Sequence, residues 1–401
     1  MPMLPYGRQS ITEDDIAAVA AVLRSDCLTS GPVVAEFERK FAARVGAKHA
    51  VAVCNATAAL HLALRVAGIG RGHRVVTSPN TFLASANCAA YVGATPDFAD
   101  IEPVTYTLNP VDLEKNWRDD TRAVVAVDYA GQAANLPAIA RIARARSAIV
   151  IEDACHAVGG RFHAENRAWH VGGNPWADLA VFSFHPVKTM TTGEGGMLVT
   201  DRAQWAEEAR RLRSHGIERD PANFLSADLC PPFAEPGPWL YEMQDLGYNY
   251  RLTDLQCALG LSQLSRLDAA LARRREIVAA YNAAFAGLDW LQVPGLRHPA
   301  DAATTSWHLY TVQIDFAALG RSRAEVMAAL RADGVGSQVL YIPVHLQPWY
   351  RKSFGYGPGK CPVAEAYYSR ALSLPLFPAM TDADVARVIA AVSALAPAHV
   401  A

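Results

Sequence analysis

The stretch Ala148-Ile-Val-Ile-Glu-Asp-Ala-Cys-His156 joins four apolar residues to two adjacent acids and a histidine. Three of the four apolar residues are β-branched, which reads as a strand buried on both faces. Its carboxyl end delivers Glu152 and Asp153. A buried acid at such a place is costly unless a cation or a strong donor meets it. Asp153 therefore either caps the next helix or pairs with a bound cation.

Similar runs lie on both sides of this strand, at 50–53, 74–77, 124–127, 180–184 and 196–200. Apolar-periodic helices are predicted between or after them, at 57–67, 82–92, 136–144 and 203–213. Continuous apolar strands separated by helices predict an α/β fold whose mostly parallel sheet is covered on both faces. Ligands then bind at the carboxyl ends of the strands. A Pro-rich interruption at 229–238 precedes one long predicted helix, 253–285, with alternating charge at 273–276. Residues 306–315, 335–344 and 382–395 read as the strands and helices of a smaller α+β domain. Residues 11–24 predict a helix capped by Thr12, with Asp14 and Asp15 suited to its first turn. This helix is expected to pack near the small domain. The expected division is an N-terminal arm and helix at 1–25, a large domain at 26–245, and a linking helix with the small domain at 246–401.

Composition narrows the function. Thirty-seven basic and 39 acidic residues give a formal charge of −2, without the basic footprint of a nucleic-acid binder. Seven scattered cysteines form no CxxC pair. Neither a zinc knuckle nor a disulfide framework is expected, and no metal is assigned. The N-terminus lacks a basic stretch followed by an apolar core, and charged residues or glycines break every apolar run before membrane-spanning length. A soluble, cytoplasmic protein without membrane partners is expected.

Two further strand ends carry chemistry. Val51-Ala-Val-Cys-Asn-Ala-Thr-Ala-Ala-Leu-His61 ends a strand in a turn of small residues and starts a helix near Thr57. Thr57 is either an ordinary helix cap or part of an anion site built on free helix amides. Leu179-Ala-Val-Phe-Ser-Phe-His-Pro-Val-Lys-Thr-Met-Thr-Thr-Gly-Glu-Gly-Gly-Met197 ends a strand at Ser183 and sets Lys188 in a loop rich in Thr and Gly. A desolvated lysine amine loses its proton and attacks aldehydes. Gly193, Gly195 and Gly196 permit tight turns close to a ligand. A phosphate cradle, a buried acid and a reactive lysine at three strand ends are what pyridoxal 5'-phosphate requires, since Asp is a known partner of its pyridinium nitrogen.

The segments EDACHAVGG (152–160), FSFHPVKTMTTGEGG (182–196), RSHGIERD (213–220) and LGYNYRLTDLQCALGLSQL (246–264) resemble the DegT/DnrJ/EryC1/StrS aminotransferases. These enzymes aminate nucleotide-diphospho keto-sugars. The resemblance spans residues 4–395. It implies fold type I of the pyridoxal-phosphate enzymes. LPYGRQS (4–10), HPVK (185–188), GPWLYE (237–242) and YIPVHLQPWY (341–350) are most similar to the pseudaminic acid branch. That branch makes UDP-4-amino-4,6-dideoxy-N-acetyl-β-L-altrosamine from the 4-keto sugar.

The resemblance assigns roles by position. Lys188 corresponds to the lysine that bonds the cofactor and is the catalytic residue. Asp153 corresponds to the acid at the pyridine nitrogen, and His156 to a polar contact with the ring hydroxyl. Thr57, Ala58 and Ser183 correspond to the phosphate cradle, and Phe82 to an aromatic stacked on the ring. Asn249 corresponds to a phosphate contact from a neighbouring subunit, which implies a homodimer with shared sites. Around the substrate lie Tyr6, Thr29, Ser30 and Gly31, with Arg251, His308, Tyr310 and His345 available to the diphosphate or sugar. His345 could equally be a packed core histidine, and Tyr6 and Arg8 could simply anchor the arm. Thr189-Met190 departs from the β-branched pair frequent in relatives, a change that bears on local packing. L-Glutamate is the implied amino donor. Sugar dehydratases of the same fold carry His where this chain has Lys188, which argues against that reading. Acceptors such as UDP-4-keto-arabinose or GDP-4-keto-6-deoxymannose remain alternatives, and an intact Asp153, Ser183 and Lys188 speak against a binding protein without turnover.

Overall fold

The computed structural model describes residues 3–225 and 237–395. Most of the Pro-rich interruption, with Cys230, lies outside the described residues. In chain order the strands are β1 (His49–Val53), β2 (Arg74–Thr77), β3 (Thr95–Phe98), β4 (Thr121–Val127), β5 (Ile149–Asp153), β6 (Arg161–Ala164), β7 (Arg167–His170), β8 (Leu179–Ser183) and β9 (Gly196–Thr200). Five short strands follow: β10 (Ile217–Glu218), β11 (Glu242–Met243), β12 (Leu291–Gln292), β13 (Tyr310–Ile314) and β14 (Ala371–Leu374). The helices are α1 (Glu13–Leu23), α2 (Pro32–Val45), α3 (Ala56–Val66), α4 (Ala84–Tyr91), α5 (Pro110–Lys115), α6 (Leu136–Arg144) and α7 (Ala203–Arg213). Beyond these come α8 (Asp254–Ser265), α9 (Leu267–Phe285), α10 (Arg323–Ala332), α11 (Pro348–Phe354), α12 (Pro362–Arg370) and α13 (Asp382–Ser393).

The large sheet has seven strands in the order β1-β9-β8-β5-β4-β2-β3. Strands β3, β2, β4, β5 and β8 pair in parallel, whereas β9 runs antiparallel to both β1 and β8. Alternation along each strand splits the core into two layers. Val124, Ala126 and Val150 face α2 and α6, while Ala123, Val125 and Ile151 face α3, α4 and α7. Both faces are thus apolar, which is why these strands read as continuous hydrophobic runs.

A second core surrounds the antiparallel sheet β12-β13-β14, packed with residues of α9, α10 and α13. Two features depart from the sequence reading. The helix expected at 253–285 is two helices, broken at Arg266, whose backbone is non-helical (φ −112°, ψ 11°). Its guanidinium reaches Ser10 O and the buried Asp15 carboxylate, so a tertiary contact interrupts a continuous apolar period. Helix α1 packs on α8, where Gln263 also donates to Asp15, rather than on the small sheet. It is the arm before it that lies on the small sheet's unit, with Leu4 bridged to Val335 and Tyr6 O accepting from Leu376 N. Among the described residues, no helix is long and apolar enough to cross a membrane.

Candidate active site

The carboxyl ends of β1, β4, β5 and β8 open into a cavity of about 520 Å³, within the range of ligand pockets. Lys188, Asp153, His156, Ser183, Thr57, Phe82, Tyr6 and His308 all line it. So do Asn55, Thr81, Ser85, Cys155, Glu194 and Tyr341, which sequence reasoning did not single out.

The loop carrying Lys188 is held at both ends. Phe184 N donates to Gly195 O at 2.9 Å and Thr192 N to Phe184 O at 3.0 Å. Within it, Thr191 Oγ1 bonds Phe184 O, and Gly193 N bonds Thr191 Oγ1. Phe184 itself packs against Phe37 and Phe41, with ring centroids 5.5 and 5.4 Å away. Lys188 is half-buried at the cavity, and burial lowers the pKa of its amine. The neighbouring Cys155 and Asp153 oppose that shift when charged.

Asp153 ends β5 and is buried. The Ser85 hydroxyl donates to its Oδ2 at 2.6 Å, and Cys155 N donates to its Oδ1 at 3.2 Å. Ser85 sits on α4, inside a segment read only as helix, so no local signal marked it. His156 and His308 are both buried, with ring centroids 4.5 Å apart. Burial pushes both imidazoles well below their usual pKa, and each lowers further with the Lys188 charge nearby. His156 accepts from Ala130 N at Nδ1, and its Nε2 stands 3.3 Å from the Tyr341 hydroxyl.

Helix α3 starts one residue earlier than expected and is capped by Asn55, whose side chain accepts from Ala58 N at 2.8 Å. Asn is a preferred cap residue, and the cap is Asn55 rather than Thr57. The Ala58 amide is thereby occupied, while the Thr57 and Ser183 side chains line the cavity. Gly196 meets this turn closely. A Cβ there would stand 2.5–2.7 Å from backbone atoms of Asn55 and Ala56.

Other expected site residues lie elsewhere. Thr29, Ser30 and Gly31 form an exposed to half-buried turn clasped to α8, where Gly31 N donates to Asp254 Oδ2 at 2.7 Å. Asn249 is exposed and Arg251 half-buried, bridged to Ser214 and Val53 respectively. Tyr310 is buried in the small-domain core and donates to Asn282 Oδ1 at 2.7 Å. His345 is fully buried away from the cavity, and its Nε2 lies 2.9 Å from Glu365 Oε1. Among the described residues, His163, His298 and Asp301 bring possible metal-ligand atoms within 4.8 Å of one another, but none of them lines this cavity.

Residues 9–393 match the DegT/DnrJ/EryC1/StrS aminotransferase family. The chain belongs to this family. It is 43% identical over 392 residues to the spore coat polysaccharide biosynthesis protein SpsC of Bacillus subtilis (strain 168), covering 97% of this chain and 96% of that protein. The PLP-form of the putative sugar aminotransferase Spr1654 from Streptococcus pneumoniae superposes with a TM-score of 0.86 at 28% identity, covering 98% of both chains. Helicobacter pylori PseC, an aminotransferase involved in the biosynthesis of pseudoaminic acid, gives a TM-score of 0.86 at 28% identity, covering 98% of this chain and 99% of that one. The mixed α/β fold with its large, mostly parallel sheet is the type I fold of these aminotransferases.

In this aminotransferase the donor set fits pyridoxal phosphate. Thr57 and Ser183 offer hydroxyls beside a helix N-terminus, where an anion is favoured. Asp153 offers a carboxylate, Lys188 a readily deprotonated amine, and Phe82 an aromatic side chain that is 57% exposed.

Proposed function

We propose that this aminotransferase uses pyridoxal phosphate, bonded by Lys188, to move the amino group of L-glutamate to C4 of a nucleotide-linked 4-keto sugar. The observation that carries the reading is the meeting of Lys188, Asp153, Thr57 and Ser183 in one cavity at the strand ends. When bound, the cofactor supplies a carbonyl that takes up the amino group and a ring that accepts an electron pair. Thr57 and Ser183 would hold its phosphate, Phe82 would cover a ring face, and His156 would meet the ring hydroxyl. Asp153, steadied by Ser85 and Cys155 N, holds the proton on the ring nitrogen. Lys188, released as a neutral amine, takes the proton from the donor carbon and returns one to the acceptor carbon. Donor and acceptor use the same cavity in turn, so ping-pong kinetics follow. Asn249, exposed on this chain, would reach the phosphate site of a partner subunit in a homodimer.

The acceptor we assign is a UDP-linked 4-keto-6-deoxy-N-acetylhexosamine, giving UDP-4-amino-4,6-dideoxy-N-acetyl-β-L-altrosamine. The fold similarity to PseC and the motifs at 4–10, 185–188, 237–242 and 341–350 support it. The similarity to a spore coat polysaccharide protein favours an alternative, amination of another nucleotide-4-keto-sugar such as UDP-4-keto-arabinose or GDP-4-keto-6-deoxymannose. The deciding experiment incubates the enzyme with glutamate and a panel of these keto-sugars and measures 2-oxoglutarate release. Selective turnover of the N-acetylhexosamine supports the first acceptor, and selective turnover of another member supports the alternative. No turnover of any keto-sugar would overturn the sugar reading.

A further inference from the structure

We infer that Asp128 and Glu152 share one proton, and that this shared proton fastens the turn at 128–134, which positions His156 and the cavity wall opposite Lys188. The inference rests on the proposed reading of that cavity as the cofactor site.

Glu152 adjoins Asp153 on β5 but faces the other side of the sheet, because strand side chains alternate. Ala126 pairs with Glu152 in the β4–β5 register, so Asp128, two residues on, emerges on the face of Glu152. Both acids are fully buried. Glu152 Oε2 accepts from Gly172 N at 3.0 Å and Asn174 Nδ2 at 2.8 Å. Asp128 Oδ1 accepts from Ala134 N at 2.9 Å. The remaining oxygens, Asp128 Oδ2 and Glu152 Oε1, receive no hydrogen bond from any donor group. The β4–β5 register sets the two side chains next to each other on that face of the sheet. One proton between them satisfies both orphaned oxygens, whereas two buried charges side by side would repel.

The donors decide where the proton sits. Glu152, with two N–H donors, is the better carboxylate, and Asp128 is the acid that donates to it. Burial and the Glu152 charge push Asp128 well above the usual carboxyl range, and burial pushes Glu152 up to about 7. The Asp153 charge, on the opposite face of the sheet, raises Asp128 further, and burial pushes the half-buried Cys155 thiol up.

The turn that Asp128 anchors contacts several segments of the cavity wall. Asp128 N donates to Asp153 O at 3.0 Å. Ala130, at φ 58°, donates to His156 Nδ1 at 3.3 Å and accepts from Leu309 N at 3.3 Å. Gly131 O accepts from Ser306 N at 3.4 Å, and the Tyr129 hydroxyl donates to Leu340 O at 2.5 Å. Asp128 and Glu152 are therefore positioning residues, acting through this turn.

The test compares wild type with Asp128→Asn, Glu152→Gln and Asp128→Ala in the holoenzyme and the apoprotein. Asn at 128 keeps an acceptor for Ala134 and an N–H for Glu152 but cannot ionise. An acid whose folded pKa is raised loses stability as pH climbs from its unfolded value, about 3.9 for Asp, through its folded value. The Tm of Asp128→Asn relative to wild type therefore rises with pH across that window. The infrared C=O band of a protonated carboxyl, present in wild type, disappears in Asp128→Asn. In Glu152→Gln the repelling charge is gone and the amide can donate to Asp128, so the pH at which the band is lost moves down, and this variant carries the test if the first does not fold. Asp128→Ala binds pyridoxal phosphate several-fold more weakly and shifts the pH profile of its visible absorbance, and Asn restores both. A pH-independent Tm offset, or a carboxyl band that survives Asp128→Asn, would overturn the shared proton. Because the Tm and infrared readouts persist without cofactor, failure to bind pyridoxal phosphate would sink the cofactor reading alone.

Discussion

The Ser85 hydroxyl donates to Asp153 Oδ2 over 2.6 Å, and the Thr81 hydroxyl lies 2.7 Å from that of Ser85. A helix on one face of the sheet thus reaches the acid at the end of its central strand. Hydrogen bonds to charged groups contribute about 1.5–3 kcal/mol. Ser85→Ala is expected to lower kcat/KM by roughly one to two orders of magnitude, with the melting temperature little changed. Wild-type kinetics in this variant would show that Asp153 needs no such support.

Lys188→Ala is expected to abolish turnover and the visible absorbance of the covalently held cofactor. Because no other lysine among the described residues lines the cavity, none of them can replace its amine. Spectra taken after adding pyridoxal phosphate, with 2-oxoglutarate assays alongside, check both effects. Retention of either would remove Lys188 from its role.

Asp153→Asn is expected to cost about 3–5 kcal/mol of rate, as breaking a buried ion pair does, while circular dichroism shows an intact fold. It also bears on Lys188. The Asp153 charge favours the protonated amine, so its removal should let Lys188 lose its proton at lower pH. Labelling of Lys188 by an amine-selective reagent in the apoprotein, followed against pH, reads this directly. A labelling midpoint that stays put or moves upward would contradict the proposed coupling.

Gly196→Ala places a methyl group against the backbone of Asn55 and Ala56. Backbone cannot swing aside as a flexible side chain does, so the start of α3 must move. A loss of about 1–3 kcal/mol in denaturant unfolding is expected, with weaker binding of pyridoxal phosphate measured by equilibrium dialysis. Full stability with unchanged affinity would mean that the close approach is not needed.

Where sequence and structure agree, local physics set the outcome. Strands β2 and β9 and helices α6 and α7 occupy the residues their patterns predict, because polar or Gly-rich breaks bound each run. The break at Arg266 was hidden because the apolar period continues across it, and only the contacts to Ser10 and Asp15 interrupt the helix. The strand-end residues Asp153, Ser183 and Lys188 were legible because each follows an apolar run into a polar loop. Ser85 and Tyr341 were not, since distant chain brings them to the cavity. Tyr310 and His345 lie away from the cavity because a polar group in a strand or loop can also find its partner inside the protein, here Asn282 and Glu365.

The reversed direction of β9 also sets an order of assembly. The chain leaves the sheet at Ser183 and re-enters at its register partner Gly196, without a helix between them. Closing so short a loop costs little chain entropy, and hairpins form within about 1–10 μs. The frame around Lys188 is therefore among the first parts of the site to form. The wall bearing His308 and Tyr341 comes from chain more than a hundred residues further on and closes late.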